Sequence, residues 1–188
     1  VYFASTSYDL REKQGAALIA KALDLRRDVL TSDHAGSLRA GTVALESALH
    51  AVGAGAVRRA LVLVSECRMG APKGALEAKL GDGAAAFLVS DGEVVASFEA
   101  SSAVANEMQD SWRIQGERFT HSWEDRFVVK EGVIPNMVEV LAALFAKADC
   151  AASEATRAAL YSHDVRTLGT VAKQAGLSQD QLQDPFAR

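Results

Sequence analysis

Residues 36–55 constrain this chain more than any other stretch. The run Gly36-Ser37-Leu38-Arg39-Ala40-Gly41-Thr42-Val43-Ala44-Leu45-Glu46-Ser47-Ala48-Leu49-His50-Ala51-Val52 is helical in pattern and dominated by small side chains, and Gly53 and Gly55 supply its stop. A helix so poor in bulky residues gains little unless it lies close against other backbone, which makes it a central, buried helix. Residues 59–65 follow with Ala-Leu-Val-Leu-Val at their centre, a continuous apolar run of the kind found in strands covered on both faces. A buried helix leading into a buried strand calls for a layered α/β fold.

The remaining pattern fits the same class. Residues 1–5 read as a short strand, 28–32 as an extended piece, and 10–25 as a helix in which Ala16, Ala17, Ile19, Ala20 and Leu23 recur at helical spacing. Residues 84–89 and 93–100 read as two strands of a hairpin turning at Ser90-Asp91-Gly92. Residues 101–132, polar and rich in aromatics including Trp112 and Trp123, show no clear period. Helices are expected at 133–146 and at 168–175, where Gly176 ends the second, with a short strand at 158–162 between them.

Composition narrows the function classes. The chain has 188 residues, 49% hydrophobic and 23% charged, the balance of a folded soluble protein large enough for one well-buried core. Its net charge of −4 and its lack of a basic face argue against nucleic acid as a partner, since Arg26-Arg27 and Arg58-Arg59 read as solvated ends of elements. No long apolar run and no signal-like start are present, so no membrane partner is expected and a cytoplasmic location is. Cys67 and Cys150 form neither a disulfide framework nor a metal-ligand spacing, and no metal site is expected. There is no glycine-rich dinucleotide fingerprint and no phosphate-binding loop with lysine. Val1 at the start and Asp184-Pro185-Phe186-Ala187-Arg188 at the end read as cut ends, as in a segment of a longer protein.

Three strings, in order, carry a resemblance. Asp33-His34-Ala35-Gly36-Ser37-Leu38-Arg39-Ala40-Gly41-Thr42-Val43-Ala44-Leu45 resembles the strand-to-buried-helix elbow of 3-hydroxy-3-methylglutaryl-CoA synthases and type III ketoacyl synthases, members of the thiolase superfamily. Residues 60–65 with Leu80-Gly81-Asp82-Gly83-Ala84-Ala85-Ala86 resemble the next strand and the Gly-Asp-Gly-Ala turn of those families. Leu160-Tyr161-Ser162-His163 resembles the strand that ends in their catalytic histidine. The resemblance implies a thiolase-like layered α/β/α/β/α sandwich of two similar halves. Residues 1–100 would supply the latter part of the first half, 101–132 a connecting segment, and 133–188 the start of the second.

The resemblance also implies a chemistry. In such enzymes a cysteine at the start of the buried helix, its pKa lowered by the helix dipole, takes an acyl group from a thioester, and a second acyl donor attacks as a carbanion. Here the matching position holds Leu38, with Ser37 beside it, and neither is a thiol. Ser37 reads as a helix N-cap or, alternatively, as a serine nucleophile. His163 is the candidate acid/base or oxyanion donor, or a histidine kept with the fold; Tyr161 or His34 is its candidate counterpart. His34 and Gly81-Asp82-Gly83 are candidate substrate-binding residues.

Two functions remain open on this basis. One is an enzyme or enzyme-complex subunit acting on acyl-CoA, with coenzyme A thioester as substrate, no covalently bound cofactor, and acyl transfer, Claisen or aldol chemistry. The other is a non-catalytic structural subunit. The implied partners are a second copy, a thiolase-like paralogue, or a small zinc-ribbon/OB-fold protein.

Overall fold

The structure is a computed structural model that describes residues 1–162 and 164–183. Two compact units divide it, Val1–Phe98 and Glu99–Arg188.

The first unit is a four-stranded mixed sheet with helices. Its strands are β1 (Tyr2–Ala4), β2 (Ser32–His34), β3 (Arg59–Glu66) and β4 (Gly83–Ser90), in the order β2-β1-β3-β4. β1 runs parallel to both neighbours, with Ala4 opposite His34 on one side and Val64 on the other; β3 and β4 are antiparallel. Helix α1 (Gly15–Ala22) connects β1 to β2, and α2 (Ala40–Gly53) connects β2 to β3.

The small-residue helix is buried as its composition requires. Ala40, Ala44, Ala48 and Val52, spaced four apart, are buried against Ala4, Ala60 and Val62. At its first turn Gly41 lies so close to β3 that a Cβ would sit 3.1 Å from a Val64 methyl. The sheet beneath differs from the sequence reading: in β3 only Ala60 and Val62 are fully buried, so the apolar run has one covered face and one partly open face.

Asp33 on β2 is the N-terminal cap of α1 from a distance. Its carboxylate accepts hydrogen bonds from Gly15 N (2.6 Å) and Ala16 N (2.9 Å), two donors that a helix start cannot satisfy within itself. This explains why the helix is shorter than the 10–25 expected: it begins where Asp33 reaches it, after Glu12 has taken a positive φ of 55°. Gly15 also packs on Phe3, whose ring carbons stand 2.5 and 2.6 Å from where a Cβ would be. The expected extended piece at 28–32 becomes a strand at Ser32–His34, placed by pairing with β1.

The expected hairpin after Gly92 does not form. β4 is a strand, but its antiparallel partner is β3 across residues 67–82, and 93–100 is not a strand. Val94 and Val95 are adjacent and both exposed, so the segment offers no alternate-residue face to lay on a sheet. Residues 91–98 instead line an open apolar groove with the C-terminal half of α2 and the end of β4, including Leu45, Leu49, Phe87 and Val89.

The second unit is mainly helical. A two-residue ladder of β5 (Ser111–Trp112) and β6 (His121–Ser122) precedes α3 (Asp125–Val128), a π-helical turn at Val129–Val133 and α4 (Ile134–Lys147). Pro135, in the first turn of α4, has no N–H to offer the carbonyl four residues back, and Ile134 N donates five residues back to Val129. Helix α5 (Val165–Ala175) packs on α4 through Leu141, Val171, Ala172 and Leu177. The strand expected at 158–162 is reduced to one parallel bridge, Ala158 to Leu182. Asp164 caps α5, accepting from Arg166 N, Thr167 N and Thr167 Oγ1, and Gly176 ends it at a φ of 80°.

Two stability predictions follow from these ends. Gly15→Ala drives a methyl into the Phe3 ring and should cost about 1–3 kcal/mol in urea unfolding. Asp164→Ala should cost about 1 kcal/mol. The Thr167 hydroxyl, and then the two backbone amides, hold the Asp164 carboxyl below its ordinary value of 3.8. A depressed carboxylate contributes its stability above the unfolded-state value and loses it as pH falls through the folded-state value. The wild-type and Asp164→Ala unfolding curves should therefore converge as the pH is lowered below about 4.

Candidate functional site

The three parallel strands end side by side, and their C-terminal edge collects a set of polar groups. β1 runs out into Ser5-Thr6-Ser7, β2 ends on His34, and β3 ends on Glu66-Cys67. In open α/β sheets this edge is where reactive groups are presented.

The groups are tied to one another. Thr6 donates twice to the Glu66 carboxylate, from its amide to Oε1 (2.7 Å) and from its hydroxyl to Oε2 (3.0 Å). Ser7 N donates to Ser5 Oγ (3.1 Å), and Cys67 N donates to Ser7 Oγ (2.9 Å). Ser5 N donates to the His34 carbonyl (3.1 Å), closing the link to β2. The His34 ring lies 5.8 Å from that of Tyr2, and its buried Nε2 has no hydrogen-bond partner.

The elbow is adjacent in sequence and on the same edge. Gly36 takes a φ of 79°, and residues 36–39 turn the chain from β2 into α2. Ser37 Oγ accepts from Arg39 N (3.3 Å) and the Ser37 carbonyl from Ala40 N (3.0 Å). The residue in the N-cap position is thus Arg39, not Ser37, because the helix begins at Ala40, four residues after the sequence pattern starts at Gly36. Leu38, at the tip of this turn, is 49% exposed. Gly83 pairs with Glu66 across the β3–β4 ladder, which brings Gly81 and Asp82 to the same edge.

Of the candidates named from sequence, the first unit thus gathers His34, Ser37, Leu38 and Gly81-Asp82-Gly83 at one edge. Tyr161 lies in the second unit, 66% exposed, ahead of α5. His163 falls outside the described residues. Sequence reasoning missed Thr6 and Glu66. Their signal was present as polar residues directly following two apolar strands. Among the described residues no group of three or more His, Cys, Asp or Glu is arranged to hold a metal ion. No helix among them is long and apolar enough to cross a membrane.

Structural comparison places this fold in a known context. The chain superposes on 3-oxoacyl-[acyl-carrier-protein] synthase III of Aquifex aeolicus with a TM-score of 0.80, covering 96% of this chain and 59% of that one at 18% identity. It superposes on MvaS in complex with 3-hydroxy-3-methylglutaryl coenzyme A with a TM-score of 0.75, covering 93% of this chain and 45% of that one at 18% identity. The fold is thiolase-like. No family model matches the chain. In sequence, the hydroxymethylglutaryl-CoA synthase of Thermococcus onnurineus is 29% identical over 184 residues, 97% of this chain. That of Pyrococcus furiosus is 28% identical over the same length. The chain spans about half the length of these curated relatives, 52% of each. Sequence relatives and structural neighbours together support the thiolase-like superfamily.

Whether the turn ahead of α2 would activate a thiol can be measured. Leu38→Cys should be alkylated by iodoacetamide at pH 7 several-fold faster than the exposed Cys150, because the start of α2 favours the thiolate. Peptide mass spectrometry reads the ratio. Equal rates would mean that the turn at 36–39 does not present residue 38 to the helix field.

Proposed function

We propose that this chain is part of an enzyme or enzyme complex that acts on acyl-CoA thioesters and forms or cleaves a carbon–carbon bond. The observation that carries this reading is that relatives bearing the name hydroxymethylglutaryl-CoA synthase match 97% of the chain. Its thiolase-like fold agrees, as do neighbours whose structures hold 3-hydroxy-3-methylglutaryl coenzyme A and CoA. These matches lend no support to a purely structural subunit.

The elbow sets the class of chemistry in this proposal. Leucine has no nucleophilic atom, and a serine hydroxyl is too weak an acid for a helix field alone to ionise. With Leu38 and Ser37 where a thiol would stand, the route is non-covalent, of aldol or retro-aldol type. The site polarises a thioester carbonyl and stabilises its enolate, and His163 moves a proton or donates to the oxyanion. Leu38 then packs against the acyl chain or its carrier arm rather than bonding to it. The protein works in the cytoplasm as a homodimer or with a thiolase-like paralogue, or with a small zinc-ribbon/OB-fold protein.

Calorimetric titration with acetyl-CoA, followed by intact-mass spectrometry, tests the reading. Saturable binding with no mass gain is expected. An acyl adduct, with Ser37 and Cys67 the first positions to map, would overturn the non-covalent route, and absence of binding would overturn the acyl-CoA reading itself. In the binding-competent protein, His163→Ala should lower turnover at least about tenfold. An unchanged rate would make that histidine structural.

A further inference from the structure

We propose that residues 101–108 form a releasable strap along α4, locked by Met108 at Gly132, and that a peroxide opens the lock by oxidising the Met108 thioether. The device lies wholly within the second unit and stands independently of the acyl-CoA reading.

The strap is defined by its anchors. Residues 101–109 belong to no helix or strand, and side chains fasten them to α4. Lys147 Nζ donates to the Ser101 carbonyl (2.9 Å), and Asn106 Nδ2 donates to Asn136 Oδ1 (3.1 Å). Met108 then meets Gly132, where a Cβ built on the glycine would fall on the Met108 sulfur. The anchors 101, 106 and 108 thus meet 147, 136 and 132, so the strap runs antiparallel to the helix. Their spacing fits an extended chain laid on a helix. From 101 to 106 an extended backbone covers about 16 Å, and from 136 to 147 a helix rises about 16 Å. From 106 to 108 the chain covers about 7 Å, and from 132 to 136 the helix rises about 6 Å. Residues 132, 136 and 147 also share one stripe of the helix, because steps of four and eleven residues are close to whole turns.

Met108 is the anchor that can be switched. Gly132 is buried in the π turn Val129–Val133, and the half-buried Met108 fills the notch left by its missing side chain. The two polar anchors are exposed, where water competes for each hydrogen bond, so the thioether carries the docking. A methionine sulfur takes one oxygen atom from hydrogen peroxide. A sulfur–oxygen bond forms, the peroxide oxygen–oxygen bond breaks, and water leaves; the sulfur is oxidised by two electrons and the peroxide reduced by two. The sulfoxide is polar where the thioether was apolar. In a notch against buried backbone the added oxygen loses its water, whereas outside the notch it keeps it. The oxidised side chain therefore turns out to solvent, and the strap lifts from α4.

The test treats the full chain with hydrogen peroxide, locates added oxygen by peptide mass spectrometry, and times cleavage after the exposed Glu107 by a glutamate-specific protease. Met69, 40% exposed, is the internal reference for peroxide dose. At a dose that oxidises Met69, Met108 should also gain one oxygen. Cleavage after Glu107 should then quicken about tenfold, since proteolysis follows the population of the released form. Methionine sulfoxide reductase should restore the slow rate. Met108→Leu keeps an apolar plug and should be cleaved as slowly as untreated wild type, with or without peroxide. Gly132→Ala puts a Cβ where the sulfur sits and should be cleaved fast without peroxide, its helices checked by circular dichroism. If Gly132→Ala does not fold, wild type against Met108→Leu decides alone. Oxidised Met108 with an unchanged cleavage rate overturns the proposal, as does Met108 left unoxidised at that dose. Fast cleavage of peroxide-treated Met108→Leu would place the switch elsewhere and overturn it equally.

Discussion

The first unit depends on how closely α2 approaches the sheet. Ala40, Ala44, Ala48 and Val52 form a stripe of short side chains along one face, and Ala4, Ala60 and Val62 form the matching floor. Short side chains on both surfaces allow the helix backbone to settle near the strands, and Gly41 against Val64 is the tightest point. That point lies at the helix start, so the approach fixes the height of the elbow above the strand ends. A larger residue at 41 would lift the end of the helix where residues 37 and 38 sit.

The same contact explains why the polar edge is so densely cross-linked. Strands that end under a helix start leave backbone amides and carbonyls without ladder partners, and buried groups of this kind must be satisfied locally. Ser5, Ser7 and Glu66 do so with side chains, while Asp33 reaches back to the first turn of α1. The links from Thr6 to Glu66 and from Cys67 to Ser7 join residues 60 apart that are neighbours only because β1 pairs with β3. The order of the strands, not the local sequence, assembles the edge.

This accounts for what the sequence disclosed and what it withheld. The buried helix, strand β3 and the stop of α5 at Gly176 were legible because burial and glycine geometry leave local marks: alanine every fourth residue, an apolar run, a glycine after the last helical turn. The family resemblance was legible for the same reason in two of its three strings, which run along β2, α2, β3 and β4. Strand 93–100 was misread because Val94 and Val95 look like strand residues, but neither has a surface to cover. The start of α1 was misplaced because its cap, Asp33, is 18 residues away from Gly15 in the chain. Thr6 and Glu66 went unnoticed for a similar reason: 60 residues separate them, and only the parallel pairing of β1 with β3 brings them together. Ser37 was read as a cap from its residue type, while the helix start is decided by where the turn out of β2 can close.

The outer edge of β4 has a consequence for handling the protein. Among the described residues this eight-residue strand pairs only with β3, and Phe87 and Leu88 on it are 47% and 66% exposed. An unpaired strand edge with apolar side chains is a template for other strands. Nothing charged interrupts β4 from Gly83 to Ser90, so it lacks the residues that normally discourage such pairing. Prepared alone at high concentration, the chain carries a colloidal liability along that one edge. A lysine at position 88, opposite Leu61 on the face turned away from α2, would be the conservative place to introduce a repelling charge.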